Sequence, residues 1–527
     1  MSAVSREGQG FSGVGATAIS LGTSPAGAAV ITTVVVLLIS LVAMFGGGET
    51  QRSLLTFSLA AILYASMVNT PFIGVPLALI YLSTFSVAKR YLIPLLGYST
   101  YDPLILVQPV IISLFVVNLL LRRRLPFDTL LSRMIGILLV IMILEMANPL
   151  QGGIHISLAG ALFYIIPLLW FYGGRTLGTH RVTRAFANIV IITAIMGVLY
   201  AFRQQFYGFT DVEKQWLELT KNDVGQYISN NVMRVFSFFN SFAEYTGVTS
   251  IAAIFCFVLF LNRNRLAIFP WLLLMTGIIL SSSRGALLGT LLGCSLVWGL
   301  QSRNPRAWLP RLTVSLVLGG FLLIAGLNQA RDIETSNDTT DALLQWQAKG
   351  ILKAADARES TGVVHSNQFF DGVVRGFVQP LGNGLGTTTI AGAKFGVYLG
   401  AAAENDLGNL FISCGAFGGL LYLAIMLWAI WRTVWVWHRH RTWLSLGIVG
   451  MLAATAGTWL IGGRYSQCMI IWFLIGYVDR VDREDDERKK RAAVAKEKES
   501  AGEETAKESL TSPDSSPSSP QTRKAQS

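Results

Sequence analysis

An all-α protein crossing a membrane about twelve to fourteen times is the fold this sequence predicts, and three observations predict it. The first is composition: of 527 residues, 52% are hydrophobic and 14% charged. With a mean hydropathy of +0.50, the chain is too apolar for a water-soluble globule of this length. The second is repetition, because runs of about 17 to 25 apolar residues, enough to cross ~30 Å of hydrocarbon, recur from Ala28 to Val478. The third is charge placement. The formal net charge is +11, but the basic excess sits in short loops between apolar runs, where membrane orientation explains it better than nucleic-acid binding does.

In chain order, residues 1–27 are rich in Gly, Ala and Ser, without a basic n-region or cleavage site. They read as a cytoplasmic tail rather than a signal peptide. Spans follow at 28–46, 53–68, 71–88, 101–121, 131–149, 156–173, 186–204, 246–262, 267–281, 285–300, 309–328, 407–436, 444–462 and 466–479. The second and third are short and divided by Pro71, so they read equally as one hairpin. Residues 28–273 thus form an N-terminal transmembrane region, with a loop at about 205–245. Residues 274–480 form a second region, with a larger loop at about 329–406. Long loops between spans are uncommon unless they work.

Arg122 to Arg124; Arg175, Arg181 and Arg184; Arg263 and Arg265; Arg303, Arg306 and Arg311; and Arg439 and Arg441 occupy alternate loops. Those loops are expected in the cytoplasm, with both termini, and the two long loops outside it. Lys89 and Arg90 are the exception. After Tyr477 the chain runs "DREDDERKKRAAVAKEKESAGEETAKE" and then "SPDSSPSSPQ". Residues 481–527 are therefore expected to be a solvated, largely disordered charged tail. Cys256, Cys294, Cys414 and Cys468 all fall in predicted spans, which argues against a disulfide framework or thiolate metal site. No cofactor is expected.

Three stretches carry candidate chemistry. In "SSSRGALLGTLLG" (Ser281–Gly293), Ser283 reads as an N-cap and Arg284 stands at the helix start on the non-cytoplasmic side. An arginine at a helix N-terminus makes an anion site suited to phosphate or diphosphate; the plainer reading is a snorkelling interfacial residue. The GxxxGxxxG stripe that follows reads as helix packing. In "HSNQFFDGVVRGFVQPLGNGLG", His365 and Arg375 precede a glycine turn that ends a helix and redirects the chain. In "AAAENDLGNLFISCG", Glu404, Asn405 and Asp406 stand at the mouth of a span. There they serve either as a cap, contributing about 0.3–1 kcal/mol, or through Glu404 as a general base. Tyr207, Phe209, Trp216, Phe238, Phe239, Phe369 and Phe370 are candidates either to stack on sugar faces or to anchor at the interface. Glu145, Arg203 and Arg464 are second-rank intramembrane charges.

"SSSRG" opening a span, a long loop ending in "PLGNGLG", and "ENDLGNLFISCGAFGGLLYL" opening the next span occur in one order. In this the chain resembles the O-antigen ligase and polymerase superfamily of bacterial envelope glycosyltransferases, over roughly Leu274 to Tyr477. The resemblance implies a membrane enzyme of GT-C-type architecture with one large periplasmic loop, in the bacterial inner membrane. Its donor would be an undecaprenyl-diphosphate-linked glycan, and a flippase and chain-length regulator would be pathway partners. It implies that Arg284, with Arg375 or His365, holds the diphosphate. Ligase members usually carry His-Asn where this chain has Glu404-Asn405, so the pair tilts the reading toward a polysaccharide polymerase, with Glu404 as base. The alternatives are a ligase moving glycan to lipid A core or protein and, from another class, a transporter or flippase. No DxD pair or His/Cys ligand cluster is evident in the sequence, so no metal is expected.

Overall fold

The computed structural model describes residues 47–220, 233–302, 304–331, 338–352, 361–389, 392 and 405–511. The expected span 28–46, the N-terminal tail and Glu404 lie outside the described residues. Among those described there is no strand. The helices are α1 (Gly48–Asn69), α2 (Pro71–Leu96), α3 (Val107–Leu121), α4 (Leu130–Glu145), α5 (Ile154–Leu177), α6 (His180–Tyr207), α7 (Asp211–Thr220) and α8 (Phe242–Leu261). They continue as α9 (Ile268–Leu280), α10 (Arg284–Leu300), α11 (Pro305–Arg331), α12 (Asp338–Leu352), α13 (Thr361–Val378), α14 (Asp406–His440), α15 (Trp443–Ala454) and α16 (Tyr465–Thr511). Among the described residues, eight helical segments, 19 to 35 residues long, are long and apolar enough to cross a membrane. The chain is a polytopic helical membrane protein.

The twelve to fourteen spans expected of the whole chain include 28–46, which lies outside the described residues, and further reasons for the smaller number are visible. The segments Arg265–Leu280, Arg284–Leu300 and Trp443–Ala454 are apolar but shorter, and α4 has 16 residues. The segment read as 444–462 is helical only as far as Ala454. Across Pro71 the chain does make a hairpin of two helices. Thr70 alone separates them, and a Cβ on Gly74 would stand 2.2 Å from the Met67 nitrogen.

The core forms around the last apolar stretch. Residues Ser466–Val478 of α16 are buried throughout, and α5 packs along them backbone to backbone. A Cβ on Gly174 would lie 1.9 Å from the Phe473 carbonyl oxygen, and one on Gly476 2.1 Å from that of Phe171. The stripe in α10 packs in the same manner. Gly289 faces the Ala454 carbonyl and Gly293 that of Gly450, whereas a Cβ on Gly285 would meet nothing within 4 Å among the described residues.

Charge divides the bundle into two ends. At one, Arg175 pairs with Asp128 and with Asp479 at 2.7 Å, Arg432 pairs with Asp482, and His440 meets Asp485 at 2.6 Å. The Arg181 guanidinium lies 4.6 Å over the Phe72 ring and so brings the α1–α2 turn to this end. Arg90, which seemed to break the charge pattern, is no loop residue. It is 0% exposed within α2, between the rings of Trp216 (4.6 Å) and Phe236 (4.5 Å). There it donates to the Ser237 carbonyl at 3.1 Å and to that of Phe239. This arginine fastens the 205–245 region onto the bundle.

The tail expected to be disordered continues α16 as a helix to Thr511. Lacking an apolar stripe, it is supported near the bundle by i,i+4 pairs, Arg480–Glu484 at 2.8 Å and Arg483–Glu487 at 3.5 Å.

Candidate functional site

The end opposite the arginine-rich loops gathers the three candidate stretches. The corner before α10 turns tightly, with Ser282 in the left-handed region at φ 54°, which costs a non-glycine residue energy unless its surroundings hold it. Here they do, since the Ser282 hydroxyl donates to the Leu343 carbonyl of α12 at 2.7 Å. Arg284 is the first residue of α10. Its guanidinium lies 4.8 Å over the Trp346 ring, and Nη2 donates to the Trp346 carbonyl at 2.5 Å. One turn of α12 thus orients both corner and arginine. Ser283 occupies the N-cap position as expected, but its side chain makes no capping hydrogen bond. The α10 N-terminus therefore carries positive dipole, an arginine, and open space at Gly285.

His365 and Arg375 both lie on α13. Ten residues apart, they are separated by ~15 Å along the axis, so one diphosphate meets one of them rather than both. Arg375 pairs with Asp371 at 2.9 Å with both side chains about half exposed, and a ring nitrogen of His365 lies 3.4 Å from Gln368 Oε1. Arg284 and Arg375 have different supports: α12 packs on α9, α10 and α11, while α13 packs on α14.

The "PLGNGLG" turn ends α13 as expected and does more. Helix α14 is broken at Gly415, where φ is 66° and ψ −170°. Near that break the carbonyls of Ile412 and Ser413 accept from the Asn383 and Gly384 amides of the turn, at 3.0 and 3.1 Å. Gly382 and Gly384, at φ 84° and 97°, give the turn its shape. Thr388 bonds Ser413 and Tyr164, both at 2.8 Å, and Asn148 bridges the Gly382 carbonyl (3.2 Å) to Glu145 (2.8 Å).

At the α14 N-terminus, Asn405 is a cap whose Oδ1 accepts from the Leu407 and Gly408 amides at 3.0 and 3.3 Å. Asp406 departs from the reading of a charge at the mouth of a span, for it is 0% exposed. Its Oδ2 accepts from the Tyr422 hydroxyl at 2.6 Å and from the Trp459 and Leu460 amides at 2.6 and 3.1 Å. Its own amide donates to the Gly457 carbonyl at 3.0 Å. Asp406 ties the start of α14 to the corner between α15 and α16.

No family model, curated protein or solved structure matches this chain. The site accordingly rests on its own geometry.

Of the candidate stacking aromatics, Trp216 (3%) and Phe239 (0%) are buried and therefore closed to a sugar. Tyr207 (85%) and Phe370 (64%) stay exposed. Of the second-rank charges, Arg203 pairs with Glu213 at 3.2 Å, and Glu145 accepts from Asn148. The reading missed Glu244. Ser241 and Glu244 form an S-x-x-E capping pair at the start of α8, the Glu244 amide donating to Ser241 Oγ at 3.2 Å. Its carboxylate also accepts from the amide and hydroxyl of Ser466, at 2.7 and 2.6 Å. One buried carboxylate thereby serves the N-termini of α8 and α16, and "SFAE" was its signal in the sequence.

Proposed function

We propose that the protein is a membrane glycosyltransferase that polymerises undecaprenyl-diphosphate-linked oligosaccharide units at the periplasmic face of the bacterial inner membrane. The observation carrying this reading is the α10 N-terminus. Its N-cap side chain makes no capping hydrogen bond, Arg284 is its first residue, and a Cβ on Gly285 meets nothing within 4 Å among the described residues. Helix amides together with an oriented guanidinium favour a diphosphate. Arg375 or His365 supplies the second contact, and Asn405 stands beside Glu404. The acceptor hydroxyl attacks the anomeric carbon of the donor sugar and passes its proton to the Glu404 carboxylate. The bond from that carbon to the diphosphate oxygen breaks, with inversion. Undecaprenyl diphosphate leaves, its charge stabilised by Arg284.

One observation bears on the transporter reading, because carriers place sites at broken helices and α14 is broken. Asn383 and Gly384 occupy the carbonyls at that break, so the gap is filled by protein, which favours the enzyme. The ligase reading differs only in acceptor, and the product separates the two: loss of the gene leaves single repeat units for a polymerase and unattached long chains for a ligase. With purified protein and lipid-linked donor, Arg284→Ala and Glu404→Gln are each expected to lower polymer formation about 100-fold or more. Polymer yield equal to wild type from either variant, at equal membrane abundance, removes the role given to that residue.

A further inference from the structure

Helix α13, which is not among the segments long and apolar enough to cross a membrane, presents an apolar outward face. Phe370, Val374, Phe377 and Val378, with Leu381 in the turn just after the helix, are 56–77% exposed, and the four helical residues share one side of α13. The other side packs on α14 through glycine: a Cβ on Gly372 would stand 3.0 Å from the Gly408 carbonyl oxygen, and one on Gly376 2.6 Å from that of Phe411. Gly382 then meets Ser413. Both residue series rise together, so α13 runs parallel to the first turns of α14 and descends toward the bundle as it ends.

The depth of its lower end follows from α14. That helix has 35 residues, ~52 Å at 1.5 Å per residue and longer than the ~30 Å of hydrocarbon. Its lower boundary is marked by Arg432, paired with Asp482, amid Trp428, Trp431 and Trp435, an aromatic and basic belt. Counting about 20 residues up from Arg432 reaches Ile412, beside the break at Gly415. Phe377 contacts Phe411 at this level, with ring centroids 5.9 Å apart. Just below, Phe417 and Leu420 of α14 are exposed.

We infer that α13 is an interfacial helix whose lower apolar face, from Val374 to Leu381, is inserted into the outer boundary of the bilayer's acyl region. Arg375, on the flank, is then held at headgroup height. The occupant of the face is lipid, because α13 descends alongside α14 to the level at which α14 enters the acyl region, just above exposed Phe417 and Leu420. The inference is independent of the catalytic reading and is tested without substrate.

The full-length protein, carrying one added cysteine at Leu381, Phe377, Val374, Phe370 or His365, is labelled with an environment-sensitive fluorophore. The native cysteines are buried, and unsubstituted protein gives the background. In nanodiscs of phosphatidylethanolamine and phosphatidylglycerol, quenching by spin-labelled acyl chains is expected to fall in the order 381, 377, 374, 370. Quenching by aqueous iodide is expected to rise in that order and to be strongest at 365. Val378 replaces Phe377 if that variant does not reach the membrane. Iodide quenching at 377 and 381 equal to that at 365 overturns the inference, as does a probe at those positions shielded from iodide yet untouched by spin-labelled lipid, the mark of a protein partner.

Discussion

Arg284 and Asp406 are charged groups at two helix starts with opposite physical situations, and substitution separates them. Arg284 is oriented by a carbonyl and a ring of α12. Arg284→Lys keeps the charge and loses the planar fork, so activity should fall well below wild type while thermal stability changes little; wild-type turnover from this variant would refute a bidentate role. Gly285→Leu extends this, because the space at that position is open. It should leave the melting temperature near wild type and block polymer formation, and full activity would show that no ligand approaches there. Asp406 is the reverse case. Asp406→Ala leaves the Trp459 and Leu460 amides buried without their acceptor, at about 1–3 kcal/mol each. Melting in detergent should drop clearly, and less for Asp406→Asn; an unchanged melting point for the alanine variant would show those bonds are not needed. That Arg284 stands at a helix start was legible in the sequence, because a helix start is a local event. The aspartate's role was not, because its partners lie 53 and 54 residues away and meet it only after packing.

Among elements, α14 shows where periodicity stops informing. The stretch read as span 407–436 is apolar apart from Asn409, Arg432 and a few hydroxyls, and nothing in "FISCGAFGG" marks one glycine off from the others. Gly415 instead sits where essentially only glycine is tolerated, and "PLGNGLG" is the matching half of the junction. Gly415→Ala should therefore destabilise the protein by about 1–3 kcal/mol from backbone strain alone. The clash of its Cβ, 2.0 Å from the Pro380 carbonyl oxygen, adds to this. Limited proteolysis should then cut within 379–389 more readily than in wild type, and an unaltered digestion pattern would mean the turn does not depend on the break. Helix limits elsewhere were read late even where a cap marks them: the side chains of Thr129, Thr179 and Ser241 accept from the first turns of α4, α6 and α8, whereas the apolar runs read as spans begin only at 131, 186 and 246. Nor was the limit legible at Ala454, where an apolar run goes on after the helix has ended.

For the whole molecule, the division into two ends follows from charge, and the sequence shows it because the basic loops obey a rule about lipid and translocation rather than about folding. The contacts collect residues 128, 175, 432, 440, 479 and 482 at one end. Arg90, the outlier, is accounted for by a buried tertiary clamp that no loop-counting rule anticipates. Which end faces the cytoplasm is the premise on which the proposed donor rests, since lipid-linked units await polymerisation outside the cytoplasm whereas nucleotide sugars lie within it. Asn304 stands exposed at the arginine-rich end, and Tyr207, 85% exposed, at the other. In spheroplasts, a membrane-impermeant maleimide should label Tyr207→Cys at once and Asn304→Cys only after the membrane is opened. The opposite pattern would place Arg284 and the turn at Gly382 in the cytoplasm, deprive the site of its proposed donor, and return the diphosphate reading to a question about nucleotides.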